Sequence, residues 1–473
     1  MNPPLILRDV EVAGRAGLDV RLEHGRIAAI GARLPRGGQE IDGQGGALIP
    51  GLADHHIHLF ALAAQRDSVT LGGVDGPDSF RLRIKAATAA RPDGAWVRVT
   101  GYHERMAGDL TRAALDAIAP SHRLRVQHQT GSLWVLNSLA LAAVESADAP
   151  PSLERGPDGA PTGRLWRGDA WLRTRIGADP PPLAPLGRQL AAYGITHLTD
   201  ASVTTDADAA ARLADAHRAG ELPQRLTLMS GGALDAPADG AFAVGPVKVL
   251  LDDHALPEFD DFTLRIARAR RWGRAVAVHC VTAGELALTL AAFEAAGAHP
   301  GDRIEHGGVI PAAAIAQIRA LGLTVVTQPA FVRERGDRYL AEVDPAEQPD
   351  LWRCASLLAT GVPVASSSDA PYASPDPWTG IAAAIDRTTS GGATLGASER
   401  SLADAALALY LGAPTAPGGP ATRTEVGMIA DLCLLGAPLR DVLAAPGAEH
   451  VNATFIGGGL VYDAASMRPA SAG

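Results

Sequence analysis

The middle of the chain alternates short apolar runs, which are typical of buried strands, with Ala-, Leu- and Arg-rich stretches that are typical of helices. Eight runs predict strands, at residues 47–58, 123–128, 195–200, 247–251, 275–279, 302–306, 323–328 and 362–368. Repeated strand–helix units indicate a parallel sheet. Eight such strands fit a closed (β/α)8 barrel, in which functional residues lie at the C-terminal ends of the strands. We therefore predict an α/β fold of the TIM-barrel type.

The two ends of the chain have a different pattern. Residues 5–50 contain short alternating bursts separated by glycines, and residues 430–435 and 453–462 have the same character. Such bursts predict short antiparallel strands. We expect residues 1–46 and 422–473 to form one small β-domain, with the barrel in residues 47–421. Two stretches do not fit the strand–helix repeat, around residues 60–122 and 129–194, and we expect them to be insertions that cover the barrel mouth.

Composition excludes several classes of protein. The length of 473 residues exceeds that of one small core. No apolar run reaches transmembrane length, and no signal peptide is visible at the start. The net charge of −10, with no basic tract, argues against a nucleic-acid partner. Three widely spaced cysteines favour reduced thiols. We expect a cytoplasmic protein with a small-molecule substrate, no nucleic-acid or membrane partner, and a homodimer as the candidate assembly.

The first predicted barrel strand ends in His56-Ile57-His58. On a strand, side chains two residues apart point to the same face, so both imidazoles aim at one point. Neutral imidazole is the commonest metal ligand in proteins. This spacing makes His56 and His58 a candidate metal-binding pair, although an isolated His-x-His pattern is also found without a metal.

Other ionisable residues lie at the ends of later predicted strands. His279, His306 and Asp369 lie at or just after such ends, and Lys248 lies on the predicted strand 247–251. Any one of them alone would be read as a core or loop residue, but together with the first pair they favour a single site at the barrel mouth. Lys248 is also one of only two lysines among 42 basic residues. Lysine, unlike arginine, can lose its proton and then react.

These motifs resemble the amidohydrolase superfamily and, within it, the YtcJ-like, N-substituted formamide deformylase-like (amidohydrolase 3) branch. The resemblance covers nearly the whole chain and rests on six segments, residues 50–59, 137–141, 247–249, 276–279, 303–306 and 368–371. It implies a metal-dependent (β/α)8 barrel with a small β-sandwich built from both termini. It also implies one or two divalent ions, with Zn²⁺ expected, and a ligand set of His56, His58, Lys248 (as a carbamylated, bridging lysine), His279, His306 and Asp369.

The resemblance further implies that Asp369 is the catalytic acid/base. A bound divalent cation lowers the pKa of its water to about 7 and polarises a carbonyl group. A carboxylate beside that water can take its proton and deliver it to a leaving nitrogen. We therefore expect a metal-dependent hydrolase of a C–N bond in an amide, formamide or related group. The same barrel also supports deamination, isomerisation or C–C cleavage, and a non-enzymatic binding module is a third alternative.

The sequence also predicts roles for three further residues. His128 ends a predicted strand and is a candidate substrate-binding residue. Arg335 lies in a predicted loop after the strand at 323–328, and its planar guanidinium suits a substrate carboxylate; a solvated charged loop is the alternative. Glu305 precedes His306, so strict alternation predicts that it points away from the site and has a structural role.

Overall fold

The computed structural model describes residues 4–66, 68–146, 148–177 and 181–467. The chain forms two compact units. One comprises Met1–Leu59 together with Leu183–Gly473, and the other comprises Phe60–Pro182.

The larger unit is built around an eight-stranded parallel sheet in which each strand pairs with its neighbour in chain order. Its strands are β1 (Leu52–Ile57), β2 (Ile195–Asp200), β3 (Arg225–Ser230), β4 (Ala243–Val249), β5 (Val276–Cys280), β6 (Arg303–His306), β7 (Thr324–Thr327) and β8 (Val364–Ser366). Just beyond the strand ends, the Asp369 N–H donates to the His56 carbonyl at 2.8 Å and the His58 N–H donates to the Ala370 carbonyl at 2.9 Å. These bonds join the first and last strands, and the predicted TIM-barrel fold is confirmed.

Helices follow most barrel strands, as the repeat predicts. The α-helices described in the larger unit after residue 183 are Ala184–Ala192, Ala207–Arg218, Phe259–Arg271, Ala283–Ala296, Ile315–Ala320, Ala330–Glu342, Ala355–Ala359, Pro377–Asp386, Ala403–Ala408 and, between two strands of a terminal sheet, Leu439–Ala444. The helix after β5 begins with a capping box, in which the Thr282 hydroxyl accepts from the Glu285 N–H at 3.2 Å and the Glu285 carboxylate accepts from the Thr282 N–H at 3.0 Å. Because the cap satisfies free backbone groups on both sides of the turn, it fixes the chain just after His279.

The terminal segments form two four-stranded sheets. One contains Leu5–Val12, Arg15–Glu23, Arg26–Gly31 and Gln39–Asp42, and the other contains Leu48–Pro50, Leu432–Leu435, Val451–Ile456 and Gly459–Asp463. Side chains of both sheets, such as Leu7, Val20, Leu434 and Phe455, share one buried apolar cluster. A short hairpin, Gly412–Ala413 with Ala416–Ala421, lies outside these sheets. The division of the larger unit at residues 46 and 422 stays a prediction.

The single strand predicted at residues 47–58 is two strands in the structure. Leu48–Pro50 pairs in the terminal sheet, whereas Leu52–Ile57 begins the barrel. Gly51 separates them, and a Cβ at this position would lie 2.2 Å from Thr196 Cγ2. Only glycine allows the backbone to pass so close to β2 as it crosses from one sheet to the other.

The smaller unit has a six-stranded mixed sheet. In spatial order its strands are Leu153–Arg155, Pro161–Trp166, Leu133–Leu136, Arg123–His128, Trp96–Tyr102 and Val69–Thr70. Its helices are Gly76–Ala89, Glu104–Ala107, Arg112–Ile118, Ser138–Val144 and Asp169–Ile176, and a further helix, Leu59–Arg66, begins at its boundary.

The prediction that residues 123–128 form a barrel strand is wrong, because this segment pairs with strands of the smaller unit. The eighth barrel strand is instead β3, which we did not predict. Leu124 and Val126 pack into an apolar cluster, whereas the intervening Arg125 and Gln127 point to the other face. This strict alternation is typical of a sheet with one polar face, not of a parallel barrel strand buried on both faces. The covering role proposed for residues 60–122 and 129–194 stays a prediction.

None of the described helices combines the length and the apolar character needed to cross a bilayer.

Candidate metal centre

The His-x-His pair lies at the C-terminal end of β1. The ring centroids of His56 and His58 are 5.3 Å apart. Their Nε2 atoms lie 3.5 and 3.3 Å from Asp369 Oδ1, respectively. The structure therefore brings both imidazoles of the first strand and the carboxylate that follows the last strand to one point.

Asp369 is held in an unusual backbone conformation. Its φ angle of +55° lies in the left-handed region, and its N–H is bound to the His56 carbonyl. The neighbouring Ser368 donates through its N–H to Asp54 Oδ1 at 3.1 Å and through its hydroxyl to Asp54 Oδ2. Asp54 Oδ1 also accepts from the His56 N–H at 3.1 Å. Asp54 therefore ties the end of β8 to the end of β1, a role that the sequence alone did not reveal.

Two further histidines lie beside this pair. The ring centroid of His306, at the end of β6, is 4.7 Å from that of His56 and 4.5 Å from that of His279. One potential ligand atom from each of His56, His306 and Asp369 lies within 4.8 Å of the others, so these three buried residues form a group that could hold a metal ion.

The Nδ1 atoms of three of these histidines are engaged by the protein. His56 Nδ1 contacts the Glu305 carboxylate, His58 Nδ1 lies 3.1 Å from Ser202 Oγ, and His306 Nδ1 lies 3.0 Å from Gln328 Oε1. A carboxylate or carbonyl acceptor at Nδ1 fixes the proton there and leaves Nε2 as the lone-pair donor. The arrangement therefore presents Nε2 of His56 and of His306 for metal binding, whereas the Ser202 hydroxyl at His58 can either donate or accept.

Burial keeps two of these rings neutral. It lowers the pKa of His56 well below its usual value, with a further lowering by the nearby charge of Lys248. It does the same to the pKa of His306, where His279 adds to the effect. Neutral imidazole is the form that binds metal, so the site needs no deprotonation of these two groups near neutral pH.

Glu305 does not point away from the site, and that prediction is wrong. It is fully buried and contacts both His56 Nδ1 and the Arg303 guanidinium, whose Nη2 lies 3.2 Å from Glu305 Oε2. Burial raises the pKa of the carboxyl, but the charges of Arg303 and Lys248 outweigh this effect and lower it overall. The side chains of Glu305 and His306 do not point to opposite faces as in a regular strand, because His306 has a φ angle of +71°. The sequence did contain one indication of a buried role for Glu305. Arg303 and Glu305 are two residues apart, so their side chains lie on one face of the strand, where they can form an ion pair.

Lys248 lies on β4 and is buried. Burial lowers the pKa of its amine to about 8, against the opposing charges of Glu305 and Asp369. Among the described residues, Lys248 Nζ has no hydrogen-bond partner, and the same is true of His56 Nε2 and Asp369 Oδ1. Buried polar atoms are normally satisfied. An imidazole nitrogen and a carboxylate oxygen that lie close together without hydrogen-bond partners are suitable ligands for a divalent cation. The residues present therefore fit a metal site.

The two predicted substrate-binding residues have other partners. Arg335 is on the helix Ala330–Glu342, so the prediction of a loop there is wrong. Its guanidinium donates to the Tyr372 carbonyl and lies 4.2 Å above the Phe331 ring, and the Tyr372 ring is 5.7 Å from that of His58. His128, in the smaller unit, lies 3.2 Å from Glu104 through Nε2. A substrate-binding role for either residue stays a prediction.

Comparison with known proteins identifies the family. The model of the family described as "Amidohydrolase family" (Amidohydro_3) matches residues 39–462. The chain belongs to this family. N-substituted formamide deformylase of Arthrobacter pascens is 25% identical, with 97% of each chain covered. The putative amidohydrolase YtcJ of Bacillus subtilis (strain 168) is 26% identical, over 74% of this chain and 75% of that protein. The predicted resemblance to this branch is confirmed.

A solved structure shares the fold. It is an uncharacterized metal-dependent hydrolase of Pyrococcus horikoshii OT3, with a TM-score of 0.73 at 19% identity, and the match covers 95% of this chain and 99% of that one. At this level of identity the likeness supports the barrel architecture.

Proposed function

We propose that this amidohydrolase is a metal-dependent hydrolase that uses water to cleave the C–N bond of an amide, formamide or related group in a small molecule. The proposal rests on one observation: His56, His58, His306 and Asp369 lie close together at the C-terminal end of the barrel. Two of their buried ligand atoms, His56 Nε2 and Asp369 Oδ1, have no hydrogen-bond partner among the described residues. The formamide substrate named for the Arthrobacter pascens relative supports this bond class.

The metal would be held by the six residues named from the sequence, with Zn²⁺ as the proposed ion: His56, His58, Lys248, His279, His306 and Asp369. Such a cation would supply Lewis acidity toward the substrate carbonyl and would acidify a water molecule.

The protein's own groups would move the proton. Asp369 Oδ1 faces the Nε2 atoms of His56 and His58 at 3.5 and 3.3 Å, and the Asp369 side chain is buried. As a carboxylate, it would take a proton from the attacking water and release it to the leaving nitrogen. Its position is fixed by the bond from its own N–H to the His56 carbonyl, so the base and the first ligand strand cannot move independently.

A substrate screen tests this proposal. The metal-reconstituted protein would be offered N-formyl and N-acyl amines, and the products would be analysed for amine, formate or carboxylate, and ammonia. Release of an amine together with an acid is expected. Ammonia alone would favour deamination, and a rearranged or cleaved carbon skeleton would favour isomerisation or C–C cleavage. A purified protein that binds no stoichiometric metal would favour the binding module.

A homodimer and a cytoplasmic location stay predictions.

We further propose that Lys248 is a carbamate. Its lowered pKa gives a fraction of neutral amine, whose nitrogen can bond to the carbon of CO₂ with release of one proton. The resulting anionic oxygen ligand could bridge two metal ions. Lys248→Ala is expected to lose activity and to regain part of it when short carboxylic acids are added. Lys85→Ala, at the exposed second lysine, is the matched control and should behave as wild type.

A structure grown with metal and bicarbonate decides between the alternatives. An unmodified amine beside a single metal ion would contradict the carbamate and make the site mononuclear, with Lys248 limited to a hydrogen bond to the substrate.

Glu305→Gln is expected to weaken metal binding by roughly 10- to 100-fold, the usual effect of losing the partner of a ligating histidine. Glutamine keeps the shape but removes the charge that His56 and Arg303 contact. Glu399→Gln is the matched control, because Glu399 is equally buried and bound by an arginine, Arg353, at 2.7 Å. Affinity would be measured by competition with a chelator. Equal metal affinity in the two variants would show that Glu305 has only a structural role.

A further inference from the structure

Two arginines lie side by side on one face of the sheet in the smaller unit. Arg98, on Trp96–Tyr102, and Arg125, on Arg123–His128, are register partners on adjacent parallel strands. Their side chains therefore share the face opposite to Val97 and Val126, which pack into the apolar cluster. Like charges directly opposite each other on neighbouring strands are destabilising, so this pair needs an explanation.

Tryptophan rings surround the two guanidinium groups. Arg98 Cζ lies 5.5 Å and Arg125 Cζ lies 5.2 Å from the centroid of the Trp134 ring, and Arg125 Cζ is also 5.8 Å from that of Trp96. The rings offer cation–π contact and exclude water from the planes of the guanidinium groups. They leave the N–H edges as the hydrogen-bonding surface.

Among the described residues, the guanidinium of Arg125 has no hydrogen-bond acceptor. It forms neither a hydrogen bond nor an ion pair with any residue that the structure describes, and its Nε is buried. Burial, followed by the charge of Arg98, lowers the pKa of Arg125 to about 10. A cation taken out of water without a counter-ion is costly, and a neighbouring cation adds to that cost. An anionic ligand would remove both penalties.

The local charges indicate what kind of anion fits. Asp169 accepts from Trp134 Nε1 at 2.8 Å and is close enough to raise the pKa of Arg125, although it forms no ion pair with it. Because Asp169 forms no ion pair with Arg125, it leaves that guanidinium open to an anionic group. The planar fork of arginine pairs with the two oxygens of a carboxylate. Trp134 is buried, so the partly buried Trp96 indole is the ring that can contact a flat, apolar body next to the carboxylate.

We propose that Arg98 and Arg125, together with the Trp96 and Trp134 rings, bind the carboxylate of a small organic acid. This site lies wholly in the smaller unit and is independent of the reaction proposed above. Neither the family match nor the metal-centre geometry assigns it.

Calorimetric titration of the full-length, metal-loaded protein tests the proposal, with sodium benzoate as the probe. Benzamide, a neutral molecule of the same shape, and inorganic phosphate, which is tetrahedral and largely dianionic, are the comparison ligands. Saturable binding of benzoate that exceeds the binding of both is expected. Absence of benzoate binding, or tighter binding of phosphate or benzamide, would overturn the carboxylate assignment.

Variants locate the site. Arg125→Gln and Arg98→Gln are each expected to weaken benzoate binding by at least about tenfold, the scale of a lost charged hydrogen bond. Arg123→Gln, at an exposed arginine on the same strand, should leave it unchanged. Benzoate binding that survives Arg125→Gln, such as binding to the metal centre alone, would contradict the proposal.

Stability provides an independent readout. Because the Arg125 guanidinium has no hydrogen-bond or ion-pair partner among the described residues, and methionine can still pack against the Trp96 and Trp134 rings, Arg125→Met should fold and keep or raise the melting temperature while it abolishes benzoate binding. A purely structural role predicts the opposite, namely a lower melting temperature or failure to fold, and either result would overturn the proposal.

Discussion

Asp369→Asn is expected to lower kcat by roughly 10²-fold or more, the usual scale of a lost acid/base group, while at least part of the bound metal remains. Asparagine keeps an oxygen that can face His56 and His58, but its amide cannot take a proton from water near neutral pH. The backbone bond from residue 369 to the His56 carbonyl does not involve the side chain, so the end of β8 should stay in place. Steady-state kinetics and metal analysis of the same preparation measure both effects.

Asp376→Asn is the matched control for this variant. Asp376 also follows β8, and its carboxylate caps the helix Pro377–Asp386 by accepting from the Trp378 N–H at 2.9 Å. Asparagine caps helices about as well as aspartate, so this change should leave kcat nearly unaltered. Near-normal turnover of Asp369→Asn would remove Asp369 from the proposed mechanism.

His56→Ala is expected to lose bound metal and activity together, and His58→Ala should do the same. The Nδ1 atom of His56 contacts Glu305, and its Nε2 atom faces Asp369. Its removal deletes one ligand and also leaves the buried Glu305 carboxylate without its imidazole partner. Metal content per protein chain, measured by elemental analysis after dialysis, should fall far below that of the wild type.

His55→Ala separates loss of a ligand from loss of a buried histidine. His55 is adjacent in sequence and fully buried, but both of its ring nitrogens lack a partner among the described residues. It lies on the other face of β1, so its replacement should cost stability and leave metal content unchanged. Wild-type metal content in His56→Ala, or equal metal loss in His55→Ala, would refute the ligand assignment.

Local patterns predicted most of the barrel and the residues that meet at its mouth. Buried parallel strands appear as short apolar runs, and their C-terminal ends converge whatever the intervening loops do. β3 was missed because its sequence, Arg-Leu-Thr-Leu-Met-Ser, contains only one β-branched residue and is rich in leucine and methionine, which favour helices. The pairing with β2 and β4, not intrinsic propensity, makes this segment a strand.

Longer-range contacts explain the remaining errors. We predicted a loop around Arg335, but the segment is helical and includes Gly336. A Cβ at this position would lie 2.5 Å from Thr389 Cγ2, so glycine is required there for close packing, not for a turn. The roles of Asp54 and Glu305 likewise depend on partners far along the chain, Ser368 and His56, which local sequence patterns do not reveal.

The most direct test of metal-dependent C–N hydrolysis is product analysis in water labelled with heavy oxygen. The metal-loaded wild-type protein would be incubated with N-formyl and N-acyl amines, and the products would be identified by mass spectrometry. We expect free amine and a formate or carboxylate that carries one labelled oxygen, with both lost after chelation and formed at least roughly 10²-fold more slowly by Asp369→Asn. A fully metal-loaded protein that releases ammonia or a rearranged product, or that releases amine equally well after chelation, would contradict it.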